Sequence, residues 1–402
     1  MFAEGANGAF SEFEPASGPA RQRMDHQPAQ EMSISALAGR SDADLGGELA
    51  FLNHTIEQNP DSAEAWAARA VFHRACRNVA GAIRDYSRAL RADPSHIPSL
   101  LGRGVLLLDD GRPNDAICDF TEIIAVDPEY EDAYLCRAWA HESGSQLEAA
   151  LADYGAALAI DPFLAEAHYG RGNVLRERED YALALESFDK AIECEPARAE
   201  FYNNRGIVKD ILLDHAGAQA DYSRSVALDP ADATTYNNRG YSCSLSGDDL
   251  KAIADYDRAI ERDPDCGIFY LNRANSRYRL DDYDQAIIDC DRALENDVDP
   301  AKRAGAFCGR ADCWYMKDRY DLAIADYDRA IELKKDEARF YRNRADAHWL
   351  VDNDDLAIAD YTRAIALSPR DIDLYIGRCA LFLRRLRLFC ALKDLWRIVR
   401  LA

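Results

Sequence analysis

Seven prolines set the frame of this chain. Pro60, Pro94, Pro128, Pro162, Pro196, Pro230 and Pro264 follow one another at intervals of 34 residues. A fixed period of this kind means that one supersecondary unit is copied along the chain, and such a unit cannot bury its apolar faces alone. The copies must stack on one another.

Numbering each unit from one to thirty-four, with the first starting at Ala63, aligns the rest of the sequence. The twentieth place holds Ala82, Ala116, Ala150, Ala184, Ala218, Ala252 and Ala286; after a three-residue insertion around Val298 to Pro300 it resumes with Ala323, Ala357 and Ala391. The eighth place is also small, as in Ala70, Gly104, Gly172, Gly240 and Ala345. Rings dominate the fourth place (Trp66, Tyr134, Tyr202, Tyr270, Tyr375) and the twenty-fourth (Tyr86, Phe120, Tyr154, Phe188, Tyr256). Places 4 and 8 share one helical face, as do 20 and 24, and the two pairs lie symmetrically about a turn near place 14 or 15. Each unit is therefore expected to be an antiparallel helical hairpin, closed where small residues face each other and filled by rings toward its open end. Gly247-Asp248, Asp281-Asp282 and Asp352-Asn353 fall where the first helix should stop and the second needs a cap.

This order of places, with Ala at 27 and Pro at 32, resembles the tetratricopeptide repeat. The resemblance implies an all-α, right-handed α-solenoid of about ten stacked antiparallel helix-turn-helix repeats. It also implies a concave groove lined by the first helices, chiefly through places 2, 5, 6, 9, 12 and 13. Residues 1–40, rich in Gly, Pro, Ala and Ser, are expected to be a flexible tail, and 41–61 a degenerate half-repeat. Nine repeats follow over 62–371, and 372–402 is a degenerate capping repeat, basic through Arg384, Arg385, Arg387, Lys393, Arg397 and Arg400. That end could meet an acidic surface or lipid, or be a solvated cap.

One departure from the family pattern is systematic. Place 7, usually apolar, is Arg in every unit, from Arg69 to Arg378, and place 23 is Asp in all but one, where Ser187 stands. Both places are eight residues from place 15, so a ladder of Arg-Asp pairs across each hairpin is expected, with Arg171 lacking its carboxylate. Solvated, unpaired groups are the other reading; exposed pairs contribute only about 0 to 1 kcal/mol each.

A formal net charge of -23 excludes a phosphate-backbone binder and favours a basic partner for any electrostatic contact. The eleven cysteines are scattered without a C-x-x-C pair, as expected of reduced thiols in small gaps; neither a metal nor a cofactor is expected. No run reaches the roughly 18 apolar residues of a membrane helix, and the N-terminus lacks a leader pattern, so a cytoplasmic location is expected. No phosphate-binding loop, zinc-helix motif or nucleophile elbow is present.

The candidate contacts are therefore on the groove. Asn204, Asn238, Asn272 and Asn343 occupy place 6, with Asn275 beside the row. An amide donates and accepts, as the backbone of an extended peptide requires. The row is similar to the asparagine ladder in the repeat domain of O-linked N-acetylglucosamine transferases; the same residues also read as tolerated polar positions. Tyr278, Tyr315 and Trp349 occupy place 12, with Tyr241 and Arg342 close by, and are either anchors for a ligand or packing between units. The early groove carries Glu64, Asp132, Glu166 and Glu200, opposite in charge to the clamp that some co-chaperone relatives use for a carboxylate. A non-catalytic scaffold for a protein or peptide ligand is the expectation. The alternative is a regulatory or substrate-recruiting subunit of an enzyme complex, and a free-standing enzyme is the weakest reading.

Overall fold

The computed structural model describes residues 42–296 and 299–401; the expected N-terminal tail lies outside them. Those residues form helices and no strand, in two compact units divided between 212 and 213. The N-terminal unit opens on α1 (Asp42–Gln58). It continues with the hairpins α2 (Ala63–Ala75) and α3 (Val79–Ala92), α4 (Ile97–Asp109) and α5 (Pro113–Val126), α6 (Glu131–Ser143) and α7 (Leu147–Ile160), then α8 (Ala165–Glu177) and α9 (Tyr181–Cys194), and ends on α10 (Ala199–Ile211). The C-terminal unit opens on α11 (His215–Leu228). Its hairpins are α12 (Ala233–Leu245) and α13 (Asp249–Arg262), α14 (Gly267–Arg279) and α15 (Tyr283–Glu295), α16 (Pro300–Met316) and α17 (Tyr320–Leu333), α18 (Ala338–Leu350) and α19 (Asp354–Leu367), then α20 (Ile372–Arg384) and α21 (Leu388–Leu401).

The small residues are small because rings lie on them. A Cβ at Gly104 would come within 2.6 Å of the Phe120 ring, and one at Gly172 within 2.7 Å of Phe188. The alanines of place 20 are buried with those rings. At place 6, Gly102, Gly170 and Gly377 instead make room for Tyr86, Tyr154 and Tyr361 of the preceding repeat. Forcing a larger side chain into such a contact costs about 1 to 3 kcal/mol.

Every hairpin turns on a left-handed residue at place 15. Arg77, Gly111, Ser145, Glu179, Leu213, Gly247, Asp281, Asp318, Asp352 and Leu386 have φ between 54° and 80°. The next amide bonds back to the carbonyl five residues earlier, as from Asn78 to His73 (2.8 Å), Asp248 to Cys243 (2.9 Å) and Asn353 to His348 (2.9 Å). This closes the first helix with its own backbone. Asp248 and Asp282 then cap the second helix through their side chains, whereas Asn353 makes no such bond.

Place 4 does more than fill volume. Trp66 donates from Nε1 to the Pro60 carbonyl at 2.8 Å, and the hydroxyls of Tyr202, Tyr270 and Tyr375 donate to Pro196, Pro264 and Pro369 at 3.1 Å. These rings pin the loop that enters each repeat, satisfying a carbonyl that the proline turn leaves open.

The Arg-Asp ladder is present. Arg69, Arg103, Arg137, Arg239, Arg273, Arg310, Arg344 and Arg378 each reach both carboxylate oxygens of the Asp sixteen residues later, at 2.6–3.0 Å. The carboxylates are more deeply buried than an exposed-pair estimate assumes: Asp289 is fully enclosed. A third nitrogen reaches the second helix of the preceding repeat, as from Arg69 to Asn53 (2.7 Å), Arg103 to Ser87 (3.1 Å) and Arg273 to Asp257 (2.6 Å). Each guanidinium thus ties three helices, and all of these but Arg103, which follows Leu100, also lie over the ring three residues before them, at 4.8 Å for Arg69 on Trp66. Arg171 instead bonds the Ser187 hydroxyl at 3.1 Å.

Candidate partner-binding faces

Within each unit the first helices of successive hairpins approach one another more closely than the second helices do. The wall with the shorter spacing is the concave one, so the first helices line the inner face of each unit.

The Asn row runs along this wall, and its amides are largely committed within the protein. Asn204 donates to the Tyr169 hydroxyl (2.8 Å) and accepts from Arg176 (2.8 Å); Asn272 donates to Asn237 (2.7 Å), and Asn343 to Asp312 (2.9 Å). Each bond crosses from one first helix to the preceding one. Asn238 is 0% exposed and Asn272 3%. Place 6 faces the neighbouring repeat, so at these two positions a ligand would have to displace the packing. They belong to a buried polar seam with Thr235, Asn237, Ser242 and Ser276, in which Asn272 Oδ1 finds no partner.

The ring positions divide. Tyr278 is buried, edge-on to Tyr283 at 5.5 Å. Tyr315 packs on Tyr320 at 5.4 Å but remains half-buried, and burial pushes its phenol up to about 12. Tyr241 and Trp349 are also half-buried, the indole against the core of α18, α19 and α20. Asn275 and Arg342 are half-buried, and neither makes a hydrogen bond or ion pair among the described residues.

Two carboxylates that the sequence reading passed over lie on the same wall. Asp312, at place 9, is enclosed and accepts from the Tyr327 hydroxyl (2.5 Å) and Asn343; burial raises it to about 6. Asp346, one repeat on, accepts from the Tyr361 hydroxyl and is likewise raised by burial. A place-9 Asp followed after fifteen residues by Tyr was the available signal.

At the C-terminal end, Arg384 pairs with Asp352 and Asp354, while Arg385 (3.0 Å) and Arg387 (3.5 Å) pair with Asp355. Much of the basic run is thus matched by the preceding repeat. All eleven cysteines are free thiols, six of them buried. No described helix is long and apolar enough to cross a membrane.

Stacked 34-residue helical hairpins with a first-helix wall define an α-helical repeat protein. A tetratricopeptide repeat model matches residues 50–97, 212–265, 246–300, 271–336 and 317–372, more than half of the chain; a second matches 165–197, and a TPR repeat model matches 143–175. The chain belongs to the tetratricopeptide repeat family. Among solved structures it is similar to YrrB, described as a TPR protein with an unusual peptide-binding site (27% identity, 44% of this chain and 91% of that one, TM-score 0.39). It is also similar to the MamA protein (24%, 42% and 93%, TM-score 0.39) and to a tetratricopeptide repeat protein from Parabacteroides merdae (18%, 65% and 98%, TM-score 0.49). No curated protein matches it.

Proposed function

We propose that this protein is a non-catalytic scaffold that holds a segment of another protein against the first-helix wall of its C-terminal unit. The observation that carries this reading is the pair Asn275 and Arg342, half-buried polar groups on that wall that make no hydrogen bond or ion pair among the described residues. Between them in the chain lies the half-buried ring of Tyr315, with the rings of Tyr241 and Trp349 to either side in sequence. A guanidinium and an amide beside rings suit a backbone carbonyl or carboxylate on an extended segment, with an apolar side chain on the rings. Asn272 and Asn343 support this surface from behind in the proposal, by holding neighbouring first helices of the C-terminal unit in register; Asn238 and Tyr278 do so by packing.

Affinity capture from the native lysate tests the reading. Asn275→Ala with Arg342→Ala should lose most of the proteins that the intact chain retains, at an unchanged thermal midpoint. Identical captured sets would remove this wall from the account.

A further inference from the structure

The surface of α21 reverses the pattern of the second helices before it. On α15, α17 and α19, places 18 and 25 hold Asp284 and Asp291, Asp321 and Asp328, and Asp355 and Thr362. On α21 the same two places hold Phe389 and Trp396, 72% and 56% exposed. Leu388, Leu392, Leu395 and Val399 are exposed beside them, and at about 3.6 residues per turn the six form one apolar arc over roughly a third of the helix. Lys393, Arg397 and Arg400 line one flank of that arc, the first 4.8 Å over the Phe389 ring and the other two 5.6 and 5.0 Å over Trp396. None of the three forms an ion pair or hydrogen bond among the described residues. The carboxylate of Asp394 is buried on Arg378, so the exposed face of α21 carries positive charge alone.

Stacking of a further hairpin does not account for this arc. Ile358 and Tyr361 of α19 pack with Leu374 and Leu381 of α20, and their counterparts Leu392 and Leu395 mark where such a helix would lie on α21. Asp355 and Thr362 stay exposed beside that contact, so Phe389 and Trp396 would remain in water. A second copy in two-fold contact would bring the same three cations together. We propose that α21 docks on an anionic lipid bilayer, lying in the plane of its surface. The arc enters the boundary between headgroups and acyl chains, while Lys393, Arg397 and Arg400 meet the anionic headgroups. Beside the two rings, Ile365, Tyr375 and Phe382 deepen the face into a groove of about 640 Å³, open to an acyl chain. The three cations lie over the rings that enter the bilayer, which is the arrangement an interfacial helix requires.

The test is co-sedimentation of the full chain with sucrose-loaded vesicles, of phosphatidylcholine alone or with about a third phosphatidylserine. The chain should bind the anionic vesicles at least about tenfold more tightly and lose that preference in high salt. Lys393→Gln with Arg397→Gln and Arg400→Gln should weaken binding about tenfold or more. Phe389→Ser with Trp396→Ser should weaken it to a similar extent, at an unchanged thermal midpoint. Arg258→Gln with Arg292→Gln and Arg329→Gln removes the same charge from exposed places of α13, α15 and α17 and should leave affinity within about twofold. No binding to anionic vesicles, equal affinity for neutral ones, or equal losses in the two triple variants would overturn the proposal. So would a lipid-free dimer, seen by sedimentation velocity, that Trp396→Ser dissociates, because the arc would then belong to a second copy. Asn275→Ala with Arg342→Ala should leave vesicle binding unchanged, so this surface and the first-helix wall fail separately.

Discussion

The two units use one hairpin and differ in how often a ladder arginine meets a carboxylate on the preceding repeat: Arg205 does so in the N-terminal unit, while in the C-terminal unit three do and Arg239 and Arg378 reach the hydroxyls of Ser223 and Thr362. In the N-terminal unit Arg69, Arg103 and Arg137 reach back to neutral groups, Asn53, Ser87 and Thr121, and Arg205 to the carboxylate of Asp189; the first-helix wall there carries Asp109, Glu142, Glu166 and Glu177. In the C-terminal unit Arg273, Arg310 and Arg344 reach back to a second carboxylate, on Asp257, Asp291 and Asp328. There the wall holds Arg342, rings and two hydrogen-bonded carboxylates, the buried Asp312 and the half-buried Asp346. Acid placed between second helices is neutralised by the ladder, whereas acid on the inner wall is held singly, as Glu166 is by Arg198 and Asp312 by Tyr327 and Asn343. The same net charge therefore has different consequences, depending on which of the two helices carries it.

The largest expected effect separates the ladders. Asp289 is fully buried and accepts from Arg273 and Arg277, so Asp289→Ala should destabilise the C-terminal unit by about 3 kcal/mol, measured by urea denaturation. Ser187→Ala, on the rung without a carboxylate, should cost under about 1 kcal/mol. Equal costs would show that the doubled rungs add nothing.

A second test addresses the buried carboxylate of the C-terminal wall. Asp312 is raised to about 6, above its ordinary value, so its protonated form is the one that suits the fold. Its contribution is complete below about pH 4 and is lost as pH rises through 6. Asp312→Asn, which keeps an acceptor for Tyr327 and Asn343, should match the parent near pH 4 and exceed it at pH 7.5 by up to about 3 kcal/mol. A thermal-denaturation difference that does not grow with pH would place the Asp312 charge outside the stability of this unit.

The smallest effect repairs the odd rung. Ser187→Asp should give Arg171 its carboxylate and stabilise the N-terminal unit by about 1 kcal/mol, read from the same urea curves. No gain would show that the backbone around α9 has settled to the shorter side chain.

The hairpins, their boundaries and the ladder were legible because each depends on spacing along one or two helices. Places 7 and 23 are equidistant from the turn, and Arg239 meets Asp255 as that symmetry requires. What spacing cannot carry is the angle at which one repeat meets the next. Place 6 was therefore assigned to the groove, although Asn238 and Asn272 turn into the adjoining repeat. The bonds from Trp66 and Tyr202 to proline carbonyls were hidden for another reason: a ring read by volume does not reveal where its donor points. The cavity that Asp109, Glu142 and Glu177 line in the N-terminal unit was visible only as separate acids such as Glu166, because those three come from three repeats. The doubled rungs had a signal that went unread, since Asp257 precedes Arg273 by the same sixteen residues that separate Arg273 from Asp289.

The left-handed residue at place 15 is Gly at only two of ten turns, and elsewhere Arg, Ser, Glu, Leu or Asp. Main-chain bonds hold the reversal, so the side chain there is unconstrained: Leu386 is 81% exposed. The knuckles of this array are thus evenly spaced, chemically indifferent mounting points, where a fluorophore or a grafted loop could report on each repeat in turn without disturbing its neighbours.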